Sequence, residues 1–249
     1  MATTTITIDV PVPPIPNVKL LETDGVPLET SWHRDEINLL VEQVRYQLRD
    51  RKDYYVGGNM FIYFDIERAR NRNFRGPDFF FVDGANSEPS RPYWVVWEEG
   101  GKYPDAIIEL LSESTAEEDR TTKKDVYERV FKTSDYFCYD PFTQRLEGWQ
   151  LLKHRYQPLP ANERGWLWSE ELQLWLGRWD GPYQNRVETW LRFYDVQGNV
   201  VPLFAEAERQ RAETERQRAE TERQQTEAER QRAEAAEAEI ARLRQMLAE

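Results

Sequence analysis

The run AIIELL at residues 106–111 constrains this chain more than any other stretch. It is almost continuously apolar, as a strand covered on both faces is, and one acid interrupts it. Such a strand needs layers above and below it, so the chain must build a domain around this segment. The acid, Glu109, then stands inside a core and needs a chemical reason to be there. Residues from about 31 to 204 carry all nine Trp, and aromatics make up 13% of the chain. That is too many for a disordered polymer and enough for a sizeable core.

Two regions of different text flank this domain. Residues 1–30 hold five of the fourteen Pro and read as an extended arm. From Ala205 to Glu249 there is no Trp, Tyr, Phe, Gly or Pro. Instead AERQRAE, TERQRAE, TERQQTE and AERQRAE follow one another from Ala207 with a period of seven residues. Strong helix formers without a breaker predict one long helix over 205–249. With Ala212, Ala219, Thr226, Ala233, Ile240 and Leu247 at a positions, Glu215, Glu222 and Glu229 fall at d, so most of that seam is poor. Only Ala233, Ala236, Ile240, Leu243 and Leu247 keep an apolar 3-4 spacing. Two readings stay open: a solvated single helix held by pairs such as Glu208 with Arg211, and a weak coiled coil of a homodimer that associates near its C-terminal end.

Within 31–204 the pattern is mixed. Residues 32–48 predict an amphipathic helix capped by Ser31, with Ile37, Leu40, Val41, Val44 and Leu48 at helical spacing. Short strands are expected at 54–56, 60–64, 79–82, 94–97 and 106–111, with Gly57-Gly58-Asn59 as a hairpin-like turn. Ser114 and Glu117 make a capping box for a second helix running to about Phe131. A buried strand at 136–139 follows, and then a β-meander at 145–152, 155–158, 166–168, 172–176 and 190–194, with turns at Gly165, Gly177, Gly181 and Gly198. The class is α/β or α+β: a mixed central sheet flanked by helices, a C-terminal meander and a long last helix.

Composition narrows the chemistry. Two His and one Cys cannot supply a four-ligand zinc site. Carboxylates are the plentiful hard donors, which favours Mg²⁺ or Mn²⁺. The net charge of −12 argues against a surface that coats nucleic acid broadly, while a small metal-gated contact stays open. The first residues lack a basic, then apolar, leader pattern, and eighteen consecutive apolar residues occur nowhere, so no membrane span is expected. With a single Cys, a cytoplasmic setting is expected.

Three charged positions break the apolar logic. Asp78 follows Pro77 at the mouth of the run FFFV in GPDFFFVDG. Glu109 lies 31 residues later, and both sit on or beside expected strands that could face each other. Converging carboxylates in an apolar setting repel, and a hard cation resolves this. Asp119, Lys123 and Tyr127 follow at i, i+4 and i+8, along one helical face shared with Val126 and Val130, which can turn Lys123 toward the carboxylates. Each position has a plainer reading as well: Asp78 as a turn residue, Glu109 as the buried partner of an Arg, Asp119 with Lys123 as a surface pair. Arg68, Arg70, Arg72 and Arg75 cluster before Asp78, and Arg120, Lys123 and Lys124 cluster after Glu109. These concentrate positive charge near the carboxylates, as a phosphodiester substrate requires. A Ser or Cys nucleophile is poorly supported, because Cys138 sits in an apolar strand and neither His lies in a nucleophile-elbow motif.

GPDFFFVDG, PDAIIELLSEST, the Asp119–Lys123–Tyr127 spacing and DYFCYDP, in that order, resemble the Uma-type "putative restriction endonuclease" family of the PD-(D/E)XK nuclease superfamily. SWHRDEINLLVEQV, YVGGNMFIY, SEELQLWLG and the Ala/Glu-rich heptad tail extend the resemblance to nearly the whole chain. It implies a restriction-endonuclease-like core cutting DNA with Mg²⁺ (or Mn²⁺) held by Asp78, Glu109 and the carbonyl of Leu110. The superfamily's usual lysine, two residues after the glutamate, is Leu111 in this chain, and Lys123 of the helix would substitute for it. Asp105 and Glu42 are further ligand candidates, Tyr127 a packing residue or a holder of Lys123, and His33 a capping residue or one that approaches the site. The competing expectation is an inactive nuclease fold, dimeric, that binds or scaffolds through its last helix.

Overall fold

The computed structural model describes residues 30–66, 74–88 and 90–248. Most of the Pro-rich arm, together with Arg68, Arg70 and Arg72, lies outside the described residues. The chain divides into two units, residues 1–201 and 202–249. The first unit opens with α1 (Ser31–Gln47), capped by the hydroxyl of Thr30, which accepts from the His33 amide at 3.2 Å. The cap therefore falls one residue before the Ser31 expected. Strands β1 (Tyr54–Gly57), β2 (Ile62–Tyr63), β3 (Phe79–Asp83), β4 (Trp94–Val95) and β5 (Ala106–Leu110) follow. Helix α2 spans residues 116–131 and leads to β6 (Asp135–Asp140), β7 (Arg145–Leu152), β8 (Arg155–Pro158), β9 (Leu167–Ser169), β10 (Leu174–Tyr183) and β11 (Arg186–Tyr194). The second unit is α3 (Phe204–Ala248), exposed along nearly all its length.

Six strands form the central sheet in the order β1-β3-β5-β6-β7-β8, with β5 parallel to β6 and every other neighbour antiparallel. A parallel pair needs a crossover, and α2 supplies it. Strand alternation splits the core in two. Phe79, Phe81, Ile108, Leu110, Phe137 and Tyr139 face α1 and the small sheet β11-β10-β9. Phe80, Val82, Ile107, Leu111, Tyr136 and Cys138 face α2 and the two-stranded sheet of β2 and β4. Both faces of β5 are thus covered, which is why AIIELL carries no solvent side. By the same parity Asp78 and Glu109 belong to the α2 face.

Several turns depart from expectation. Gly57-Gly58-Asn59 does not close a hairpin: β1 pairs with β3, while β2 pairs with β4. A Cβ at Gly58 would run into the backbone carbonyl oxygen of Asp78, so only Gly lets this segment approach β3 so closely. Gly177 and Gly181 lie inside β10 rather than in turns, where the indoles of Trp166 and Trp179 cross their backbone. The tight hairpins instead turn at Lys153-His154 and Gln184-Asn185, all four at positive φ, the pattern of two-residue type I′ loops without the usual Gly.

Candidate active site

The register of β3 against β5 pairs Phe79 with Ile108, so the next pair along is Asp78 and Glu109. Their contacts bear this out at the atomic level. The Asp78 amide lies 3.4 Å from Glu109 Oε2, and Asp78 Oδ2 accepts from the Leu110 amide at 2.7 Å. Asn59 donates its amide to the Pro77 and Asp78 carbonyls, bracing the entry to β3. Two carboxylates converge because two antiparallel strands end together.

Helix α2 brings the counter-charge. Its backbone alternates α and π turns, with π segments at Asp119–Lys123 and Tyr127–Phe131. Such widened turns recur at functional sites. Lys123 Nζ stands 3.2 Å from Glu109 Oε1 and 2.7 Å from Asp119 Oδ1, while the Tyr127 hydroxyl donates to Glu109 Oε1 at 2.8 Å. Tyr127 therefore holds Glu109 rather than Lys123. The widened turns also rotate Val130 out to solvent, contrary to the expectation that it shares the docking face; Tyr127 and Phe131 are the buried residues of this segment. Tyr136, in β6, donates its hydroxyl to the Asp119 carbonyl at 2.7 Å. A buried tyrosine hydroxyl usually finds such a partner, though Tyr139 in the same strand has none among the described residues.

Charge states follow from burial. The Glu109 carboxyl, with no solvent contact, is pushed up to about 8 by burial, against the pull of Lys123 and with Asp119 and Asp78 adding to the rise. Asp78 is raised as well, again chiefly by burial, with Lys123 and the Leu110 amide opposing. Burial alone would lower the Lys123 amine, but Glu109, Asp119 and Asp78 outweigh it and push it up, so it stays an ammonium. Three carboxylates thus share one ammonium, and the cluster is short of positive charge. Among the described residues no three His, Cys, Asp or Glu side chains are grouped as a metal cage. Two carboxylates and a backbone carbonyl do suit magnesium, which keeps several waters and takes one or two protein carboxylates.

The remaining candidates scatter. His33, on the first turn of α1, is buried, with Nδ1 2.9 Å from the Thr30 hydroxyl and Nε2 3.3 Å from the Leu110 carbonyl oxygen, so it does reach the edge of the cluster. Glu42 lies nine residues further along α1, about 13 Å from His33 along the helix axis, and its charge acts on Tyr183. Asp105 sits at the other end of β5, about 13 Å from Glu109 along the strand, and accepts from the Asp83 amide at 2.7 Å. Leu111 is buried in the core that α2 covers, and the lysine found beside Glu109 is Lys123 of that helix. Arg120 pairs with Glu147 at 3.0 Å and the Lys124 ammonium sits 3.6 Å over the Trp149 ring, so both basic side chains are engaged with β7. Arg75 bridges β2 through its backbone and donates Nη1 to the Phe74 carbonyl.

A mixed sheet carrying an acid pair, Glu109 buried and Asp78 half-buried, beside a lysine from the crossover helix, defines the class: an α/β protein with a candidate site for cation-assisted chemistry. The chain belongs to the Uma2 family, described as "Putative restriction endonuclease", which matches residues 16–180. The family is nuclease-like, and the resemblance read from the motifs agrees with it. Among solved structures, a "putative nuclease belonging to DUF820" from Anabaena variabilis is similar at 11% identity with a TM-score of 0.44, covering 59% of this chain and 76% of that one. Among curated proteins nothing matches at a significant level. Among the described residues no helix is long and apolar enough to cross a membrane.

Proposed function

We propose that the chain is a Mg²⁺- or Mn²⁺-dependent endonuclease that hydrolyses phosphodiester bonds in DNA. The observation that supports this best is the meeting of Asp78 and Glu109 at the ends of β3 and β5, with the Lys123 ammonium 3.2 Å from Glu109. Asp78, Glu109 and the Leu110 carbonyl would hold the cation, which polarises the phosphate and lowers the pKa of the attacking water. Lys123 orients that water or stabilises the charge that grows on the phosphoryl oxygens. Asp119 holds Lys123, Tyr127 holds Glu109, and His33 steadies the Leu110 carbonyl from the α1 side. Arg75, three residues before Asp78 and bridged to Ile62, is the described residue of the Arg68–Arg75 cluster proposed to contact a phosphate backbone. Arg70 and Arg72 join it in the proposal by sequence alone.

The domain boundaries of this reading are an arm over 1–30, the nuclease domain over 31–204 and the heptad helix over 205–249. The helix would join two copies. Plasmid DNA incubated with the full chain should be nicked only when Mg²⁺ or Mn²⁺ is present. Asp78→Asn and Lys123→Ala should each reduce the rate about 10²- to 10⁴-fold. Cleavage that survives both substitutions would show that the work is done elsewhere. No cleavage of double- or single-stranded DNA by the wild-type chain would leave an inactive, binding or scaffolding nuclease fold.

A further inference from the structure

Helix α3 exposes a second seam, two residues out of step with the one set by Ile240. Ala207, Thr214, Thr221 and Ala228 recur every seven residues, and Gln210, Gln217, Gln224 and Gln231 stand three residues after each. Ala207 is buried, so the exposed seam runs from Gln210 to Gln231. In this frame no charge lies at a or d. Glu213, Glu220 and Glu227 take the g positions, and Arg211, Arg218 and Arg232 take e positions, with Gln225 between them. The frame built on Ala212 and Ala219 instead places Glu215, Glu222 and Glu229 in the seam and faces arginine with arginine across it.

The helix already satisfies the polar groups of the neutral seam. Thr214 and Thr221 donate their hydroxyls to the Gln210 and Gln217 carbonyls at 2.8 Å, which turns their methyl groups outward. Gln217, Gln224 and Gln231 donate their amides to Glu213, Glu220 and Glu227 at 3.1 to 3.2 Å, fixing each d side chain against its own g neighbour. Between two parallel chains in register, g meets e of the next heptad. Glu213 then faces Arg218 and Glu227 faces Arg232, while Glu220 meets the neutral Gln225. Antiparallel chains would set Glu against Glu and Arg against Arg.

Building on the tail joining two copies, we propose that residues 210–232 form a parallel, in-register coiled coil with a second copy of this chain through the Ala/Thr–Gln seam, orientation and register being selected by the Glu–Arg flanks. The pairs are exposed, so the association weakens as salt rises. The test uses the full chain. Sedimentation equilibrium should show a dimer whose Kd rises about tenfold or more in Glu213→Arg/Glu227→Arg, and returns toward wild type when Arg218→Glu and Arg232→Glu are added. Under oxidation Thr221→Cys should form an intermolecular disulfide readily, since facing a positions bring the Cβ atoms within bonding range. Ala219→Cys, on the seam of the other frame, should not; the native Cys138 is buried. A dimer in which Ala219→Cys links as fast as Thr221→Cys, or in which charge reversal changes nothing, overturns this seam while self-association stands. A wild-type chain that stays monomeric overturns both.

Discussion

At the residue scale, burial governs what the acids do. Glu109, pushed up to about 8 by burial, holds a proton at neutral pH unless a cation displaces it. Cation affinity should therefore rise about tenfold per pH unit from 6 toward 8 and level off above, measurable by Mn²⁺ titration. Tyr127→Phe removes the hydroxyl that favours the charged carboxylate. It should shift that pH profile upward and cost about 1 kcal/mol of stability. Asp135 is a buried acid of another kind. Burial pushes it up to about 6 against the Glu171 amide and the Ser169 hydroxyl, which it accepts at 3.0 and 2.7 Å. Because the folded state holds that proton more tightly than the unfolded chain, the contribution is complete below about pH 4 and is lost as pH rises through 6. Asp135→Asn should therefore gain about 2 kcal/mol on wild type between pH 4 and 7.5, read from denaturant unfolding at the two ends.

At the element scale, the strand ends position the site and a glycine sets their spacing. Gly58→Ala drives a Cβ into the Asp78 carbonyl, and Gly177→Ala drives one into the Trp166 indole. Each should cost about 2 kcal/mol by overpacking. Only Gly58→Ala should also weaken Mn²⁺ binding, because only it displaces a proposed ligand strand. The elements themselves were largely legible. AIIELL announced a doubly covered strand, α1 followed from periodicity, and the heptads announced α3. The crossover helix is present, but its N-cap is Thr115 without a side-chain cap bond rather than the expected Ser114–Glu117 box. Of the glycine turns, Gly165 and Gly198 were legible, while Gly177 and Gly181 were not, because they serve a close indole rather than a bend. The hairpins turn on Lys153-His154 and Gln184-Asn185, residues that carry little local turn signal. The pairing of β2 with β4 was hidden for a different reason: long-range pairing leaves no mark on a six-residue window. The π turns of α2 are invisible to a 3.6-residue pattern, and so Val130 was placed on the wrong face. Asp78 and Glu109 could be expected to meet because a charge at or inside an apolar run is a local signal, and Lys123 stands beside Glu109 by its spacing along the helix; their roles belong to the proposal. Glu42 and Asp105 were judged by residue type alone; Asp105 stands at the other end of β5 from Glu109.

At the scale of the whole molecule, the net charge of −12 and the basic side chains tell one story. Arg120 and Lys124 are engaged with Glu147 and Trp149, so α2 offers little free positive charge to a polyanion. DNA association should be weak without metal and should strengthen with Mg²⁺ or with Ca²⁺ as a non-catalytic substitute, seen as a cation-dependent mobility shift. The most direct measurement is calorimetric titration of Mn²⁺ into the full chain at pH 7 in buffers of different ionisation enthalpy. Binding at one site with release of close to one proton, lost in Glu109→Gln and Asp78→Asn while the fold persists, is the predicted result. Binding that releases no proton, or that is unchanged in both variants, would contradict a cation held by the Asp78–Glu109 pair.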